Sequence, residues 1–401
     1  MIMDQLTLAT RTQLTSQTGL EDLIPDLTGD TISFAGGLPD PAQFPKQAIS
    51  DSFQRVLANN GLDALQYHNA KGYLPLREQL AARLARENTH IDANEIILTQ
   101  GAQQGLDLTA KLLLNKGDHI VVEAPTYVGA LAAFAAYEPR YHEIPLENDG
   151  LDLTLLNKVL LTQKIKLIYT IPNFQNPTGI VMSLAKRQQL IELANRYDVI
   201  ILEDDPYHDL RFAGESLPSL KALDTEGRVI SLGSFSKVLA PGLRIGWLVA
   251  APALLRQIRY LKDGADLESP TLPQQVISDY LIHNDFDAHL DSLRKNYLVK
   301  RNWMLDALRK NLPAGFTYTQ PEGGFFLWLT GPKSLNFERL LREEVAPKEH
   351  LLYVPSTHLY ASNQVLNSAR LSYATYDQAT IELGIQKLSR ALTAEALRLN
   401  A

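Results

Sequence analysis

The stretch RVISLGSFSKVLAPGLRIGWLVA (228–250) decides the fold. Two apolar, β-rich runs, RVISLGS (228–234) and RIGWLVA (244–250), flank a short segment of small and hydroxyl residues that carries Lys237. Continuous apolar strands of this kind belong to sheets covered on both faces. The pattern recurs upstream in EIILT (95–99), HIVVEA (119–124), KLIYTI (166–171) and VIILED (199–204). Helix-like stretches separate these runs: one through Leu114, one from Tyr127 and one at 184–197. Strands alternating with helices predict an α/β fold with a mostly parallel central sheet.

After Pro252 the pattern changes to amphipathic helices at roughly 252–263, 272–284 and 285–311. Shorter strands follow at FFLWL (325–329), LLYVP (351–355) and ARLSYA (369–374), and a last helix closes the chain. This predicts a second, smaller α+β domain over 291–401, a large domain over 46–290, and an N-terminal segment, 1–45, that packs on the small domain and covers the site. A rigid seam between domains is where a small-molecule site is expected.

Composition narrows the classes. The chain has 401 residues, 45% of them hydrophobic, enough for a large buried core. A net charge of −7 gives no basic field for nucleic acid or anionic lipid. The absence of cysteine excludes disulfides and thiolate zinc, and no metal site is expected. No apolar run approaches the ~20 residues that span a bilayer. The N-terminal MIMDQLTLATRTQLTSQTG is too polar for a secretory signal, so a cytoplasmic protein is expected.

Chemistry gathers where strands end. Lys237 lies between apolar strands that carry it inward, unlike an ordinary solvated lysine, and a buried lysine has a lowered pKa and acts as an amine nucleophile. Ser234, Ser236 and Arg244 offer hydroxyls and a guanidinium fork to a dianionic phosphate. VIILEDDPYHDL (199–210) ends a strand with Asp204, where a carboxylate can keep a pyridinium nitrogen protonated and Tyr207 can donate to the ring's phenolic oxygen. In IPNFQNPTG (171–179), beyond ordinary turn chemistry, the Asn176 amide can meet a ring oxygen and a substrate carboxylate. TQGAQQGLDL (99–108) runs from strand to helix, so Gly101, Ala102 and Gln103 open a helix N-terminus suited to phosphate, without the spacing of a Walker or dinucleotide loop. Tyr127 can stack on a flat ring or serve as an ordinary core tyrosine.

With these residues in this order, the chain resembles the fold-type I pyridoxal-phosphate (PLP) aminotransferases of class I/II over nearly its whole length. The motifs that carry the resemblance are NPTG (176–179), Asp204-x-x-Tyr207, Ser234-x-x-Lys237 with Arg244, PEGGFFLW (321–328) and ARLSY (369–373). The resemblance implies a seven-stranded-type large-domain sheet and PLP as cofactor. It implies that Lys237 forms the Schiff base and shuttles a proton, that Asp204 pairs with the pyridine nitrogen, and that Tyr207 and Asn176 bind the phenolic oxygen. Tyr127 would stack on the ring, and Gly101, Ala102, Gln103, Ser234, Ser236 and Arg244 would hold the phosphate. Tyr67, in YHNAKGYLPLR (67–77), would reach the neighbouring subunit's phosphate in a homodimer. Arg370 would take the substrate carboxylate, and Gly37 would contact substrate through its backbone.

FAGGLPDPAQFP (34–45) is similar to the segment of 2-aminoadipate, kynurenine and broad-range aromatic aminotransferases, and of bacterial regulators with a PLP-binding half. Some lysine-pathway members carry an arginine in the helix ahead of this motif. Here TSQTGLEDL (15–23) has none, and Arg11 lies further upstream, so an aromatic or broad amino donor and a 2-oxo acid acceptor are expected. The alternatives are a PLP β-lyase or other carbanion chemistry on amino acids, and a PLP-binding regulator without its DNA-binding domain.

Overall fold

A computed structural model describes residues 7–9, 11–15 and 30–400. Its strands in chain order are β1 (Ile32–Ser33), β2 (Ile96–Thr99), β3 (His119–Ala124), β4 (Arg140–Glu147), β5 (Gly150–Leu151), β6 (Ile165–Thr170) and β7 (Ile200–Asp204). They continue with β8 (Val229–Ser234), β9 (Gly246–Val249), β10 (Thr317–Tyr318), β11 (Phe326–Thr330), β12 (Leu351–Leu352), β13 (Val354–Pro355) and β14 (Ser368–Ser372).

The main sheet has eight strands in the order β2-β9-β8-β7-β6-β3-β4-β5. β8, β7, β6, β3 and β4 run parallel, β9 is antiparallel to both its neighbours, and the two-residue β5 returns antiparallel beside β4. Apolar residues of these strands are buried on both faces, and their helices make two cores. On one face, Ile97, Leu167, Leu202 and Ile230 pack with the helices Gly101–Leu113, Val128–Ala135 and Pro252–Asp266. On the other, Val121, Ile168, Ile201 and Val229 pack with the helices Leu153–Thr162 and Leu184–Tyr197. Side chains of Asp152, Ser183 and Asp285 accept from backbone N–H groups and so start three of the helices where the chain leaves a loop.

A second, antiparallel sheet has the order β10-β11-β14-β13. It packs with the long helices Phe286–Asn311 and Gln378–Asn400 around Tyr297, Phe325, Leu371 and Leu388. Of the N-terminal segment, β1 pairs with β12 near this sheet, whereas Arg11–Thr15 packs on the helix Val128–Ala135 beside the main sheet. Residues 16–23 of the stretch expected to be a helix lie outside the described residues.

Three features depart from the sequence reading. β4 was not expected: its eight residues are mostly half-exposed and polar, so no apolar run marks it. The helices Lys46–Ala64 and Leu74–Arg86 also had no expectation; the first carries a break at Asn60 and mixes its apolar positions with polar ones. LLYVP is two short strands on either side of Tyr353, whose hydroxyl donates inward to the Phe337 carbonyl at 2.8 Å. Among the described residues no helix is long and apolar enough to cross a membrane, and no group of three His, Asp or Glu side chains is placed to hold a metal.

A close backbone approach in the main sheet joins β9 to the start of the helix Gly101–Leu113. A Cβ on Gly246 would lie 2.7 Å from the Gly101 carbonyl carbon, 2.8 Å from the Ala102 nitrogen and 2.8 Å from the Gly233 oxygen, all of them backbone. Gly246→Ala is therefore expected to destabilise the fold by about 2 kcal/mol, in the range of overpacked core sites. An unchanged urea midpoint would contradict this packing.

Candidate active site

A cavity of ≈ 320 Å³ opens at the carboxyl ends of the central strands, where open α/β sheets bind ligands. Asp204, the last residue of β7, lines it. Its Oδ2 accepts a hydrogen bond from the Tyr169 hydroxyl at 2.8 Å, and its Oδ1 is buried without a partner among the described residues. Burial pushes this acid up to about 7; the Tyr169 hydrogen bond pulls it down, Asp205 pushes it up and Lys237 pulls it down. The neighbouring Asp205 turns the other way, accepting from Asn173 Nδ2 at 2.8 Å and lying 3.0 Å from His208 Nδ1.

Lys237 enters the same cavity from the loop after β8 and donates from Nζ to the Gly37 carbonyl at 2.9 Å. Burial pulls the amine down to about 8, with Arg370 and Arg244 acting in the same direction and Asp204 opposing. Arg370 comes from β14 of the second sheet, opposite Trp328 of β11. It donates to Asn176 Oδ1 at 2.8 Å and to the Ala35 carbonyl at 2.6 Å, and its Nε is buried without a partner among the described residues. Its guanidinium lies 4.2 Å from the centre of the Phe326 ring, and burial pulls its pKa to about 10, so it stays charged at neutral pH.

At the opposite end Ser234, Ser236 and Arg244 converge. The Ser234 hydroxyl donates to Ser236 Oγ at 2.9 Å; Arg244 reaches Ser236 Oγ at 3.4 Å and the Gln100 carbonyl at 3.1 Å. Gly101 sits beneath the guanidinium with φ +70°, and a Cβ there would come within 2.5 Å of Arg244 Nη2. No side chain caps the helix that begins at Gly101, which leaves its first N–H groups to a ligand. Ala102 and Gln103 line the cavity, although the Gln103 amide turns to the Gly129 carbonyl at 2.7 Å.

Tyr127 also lines the cavity, with its ring folded over Gly129, where a Cβ would lie 2.4 Å from the ring. Tyr207 is buried edge-on to Phe325 and Phe326. Gly37 lines the wall, and its missing Cβ makes room for Phe326. The turn that presents Asn176 is held from behind by Gln175, which donates to Glu123 Oε2 at 2.9 Å and accepts from the Thr178 N–H at 2.9 Å. Tyr67 stands apart from this cavity, 77% exposed. Three participants escaped the sequence reading: Tyr169, Phe326 and the Ala35 carbonyl. Tyr169 sits among the buried positions of β6, where an aromatic is indistinguishable in sequence from ordinary core.

The residues present fit a phosphorylated pyridine aldehyde. An orphaned carboxylate oxygen waits for a ring nitrogen, a lysine of lowered pKa lies beside it, and a dianion cradle stands at the far end. The sequence pattern of the aminotransferase class I and II family matches residues 32–388. The chain belongs to this family. It is 41% identical to the aromatic-amino-acid aminotransferase 1 of Thermococcus litoralis, covering 92% of this chain and 89% of that protein. It is 40% identical to the 2-aminoadipate transaminase of Thermus thermophilus, covering 90% of each. The solved structure of LysN, the α-aminoadipate aminotransferase of Thermus thermophilus complexed with N-(5'-phosphopyridoxyl)-L-leucine, superposes with a TM-score of 0.91 at 38% identity, over 97% of this chain and 98% of that one. This protein is thus a PLP-dependent aminotransferase of fold type I.

Asp204 makes the empty-handed fold pay a stability penalty that depends on pH. Its folded pKa of about 7 lies above its ordinary 3.8, so the folded apoprotein binds the extra proton between those values. Stability from this group therefore falls as pH rises through that window, and the penalty is complete above it. Asp204→Asn in the apoprotein should raise the thermal midpoint more at about pH 8 than at about pH 4. A midpoint difference independent of pH would show that Asp204 is not the strained acid.

Proposed function

We propose that this aminotransferase moves the amino group of an L-amino acid of aromatic or broad side-chain range to a 2-oxo acid such as 2-oxoglutarate. The observation that carries the reading is Arg370: a buried guanidinium with a free Nε, stacked on Phe326 and facing the same cavity as Lys237. A carboxylate entering a partly desolvated cleft needs such a fork, and a bidentate pair offsets its desolvation.

PLP, when bound, supplies a ring that withdraws the electron pair released at the substrate's α-carbon. The chain's own residues divide the remaining work. Asp204 holds the ring nitrogen, Tyr207 and Asn176 hold the phenolic oxygen, and Tyr127 covers the ring face. Gly101, Ala102, Gln103, Ser234, Ser236 and Arg244 hold the phosphate. Lys237 is the amine nucleophile, and with a pKa near 8 a useful fraction is neutral at physiological pH, able to accept the proton at the α-carbon and return it. Arg370 and the Gly37 backbone orient the substrate so that this proton faces Lys237.

The cations support this donor range. Among the described residues, those lining the cavity are Lys237, Arg244 and Arg370, and each has a role already. None is left for an acidic side chain; Arg11 is exposed and lies near Tyr137. The active unit is a homodimer in which Tyr67 reaches the partner's phosphate; its exposure, together with that of Leu62 and Leu65 in the same stretch, supports this. A fully active monomer in sedimentation would contradict it.

A panel of donors with 2-oxoglutarate, scored by kcat/KM, tests the reading. Aromatic and aliphatic donors should be used at least as well as 2-aminoadipate; a strong preference for 2-aminoadipate would overturn the assigned range. Arg370→Lys keeps the charge without the fork and should lower kcat/KM for amino acids at least about tenfold, roughly 1.4 kcal/mol. A simple amine without a carboxylate should lose far less, and equal losses would make Arg370 structural.

A further inference from the structure

Tyr169 has no part in the roles above, yet it makes the only hydrogen bond that the described residues offer to the Asp204 carboxylate. It is fully buried in β6, on the sheet face it shares with Leu167 and Ile171. Across the parallel register it stands opposite Leu202, so its hydroxyl reaches two residues along β7 to Asp204. Phe134 holds the ring edge-on at 5.5 Å, from the helix that begins just after Tyr127. A tyrosine hydroxyl has one proton to give. Burial and the nearby Asp204 hold that proton on, so Tyr169 is the donor and the carboxylate the acceptor.

We propose that Tyr169 is the positioning residue of the cofactor acid: its hydroxyl takes Oδ2 of Asp204 and thereby presents Oδ1 to the ring nitrogen. The inference rests on Asp204 being the partner of that nitrogen. The terminal torsion of an aspartate is broad, so burial alone does not fix the plane of its two oxygens. One hydrogen bond from a rigidly packed ring does. The same bond favours the ionised acid, which burial disfavours. The other titratable groups near the pair are Asp205, Lys237, Tyr127 and Tyr207 around Asp204, and Glu123 and Tyr127 around Tyr169. Asp205 pushes the acid up and Lys237 pulls it down, and neither donates to it. Loss of the Tyr169 hydroxyl therefore raises the acid's pKa.

Tyr169→Phe keeps the ring against Phe134 and removes only the hydroxyl. The affinity of the apoprotein for pyridoxal phosphate, measured by equilibrium dialysis from about pH 5 to 8, reads the effect without turnover. We expect binding about tenfold weaker at neutral pH, the scale of a hydrogen bond to a charged group. The loss of affinity on acidification should begin at higher pH than in the wild type. The ligand's phosphate and Lys237 titrate in both proteins, so the displacement between the two curves reports Asp204. In the loaded enzyme kcat should fall with KM little changed. A hydroxyl that only supports the fold would lower the thermal midpoint and leave the pH curve in place, which would overturn the proposal. So would wild-type affinity in Tyr169→Phe beside weak binding in Asp204→Asn. Wild-type affinity and pH dependence in Asp204→Asn would overturn instead the reading of Asp204 on which the inference rests. Should Tyr169→Phe not fold, 3-fluorotyrosine in place of Tyr169 keeps the shape with a stronger donor. It should move the pH curve downward, and an unmoved curve overturns the proposal.

Discussion

Asp204 is a carboxylate walled in by strand residues, with one oxygen bonded to Tyr169 and the other without a partner among the described residues. An unsatisfied buried acceptor costs on the order of 1–3 kcal/mol. A ligand nitrogen carrying a proton removes that cost, and the parallel sheet sets its surroundings. β7 lies between β6, which brings Tyr169, and β8, which leads into Lys237. Because these strands run the same way, their carboxyl ends deliver Asp204, its donor Tyr169 and Lys237 to one edge.

The charges in the cavity are unequal. Among the described residues three cations, Lys237, Arg244 and Arg370, face one acid, and each is tethered by a backbone carbonyl: Gly37, Gln100 and Ala35 respectively. Carbonyl tethers orient a cation without neutralising it, so the excess positive charge remains for anions. A phosphate suits the end with Arg244, and a carboxylate suits the end with Arg370. The hydrogen bond from Arg370 to Asn176 also joins the second sheet to the main one at the site itself. In the proposed reading, substrate recognition and the contact between the two sheets therefore share a side chain.

Much of this was legible in the residues, for a physical reason. Strands buried on both faces must be continuously apolar, so β2, β3, β6, β7, β8 and β9 announced themselves, and the polar residues just past their ends stood out. Lys237, Asp204, Tyr207 and Asn176 were found this way, Arg370 only through the family resemblance, and the cavity brings all five together. β4 was hidden because it is mostly half-exposed and polar. Tyr169 and Phe326 were hidden because an aromatic in a buried strand looks like core until the register across the sheet is known; pairing of Trp328 with Arg370, and of Tyr169 with Leu202, supplies that register. The Ala35 carbonyl was beyond reach, since a backbone acceptor leaves no mark on residue identity.

Among the described residues Lys237 is the one amine lining the cavity, and on the proposed reading it bonds the cofactor. Reduction of the PLP-loaded protein with borohydride, followed by peptide mapping, should place the pyridoxyl label on Lys237, with Lys237→Ala unlabelled. Lys262 is fully buried, but its ammonium is held by Asp266 at 2.8 Å, which makes it the informative comparison. A label on Lys262, or on any lysine other than Lys237, would contradict the site described.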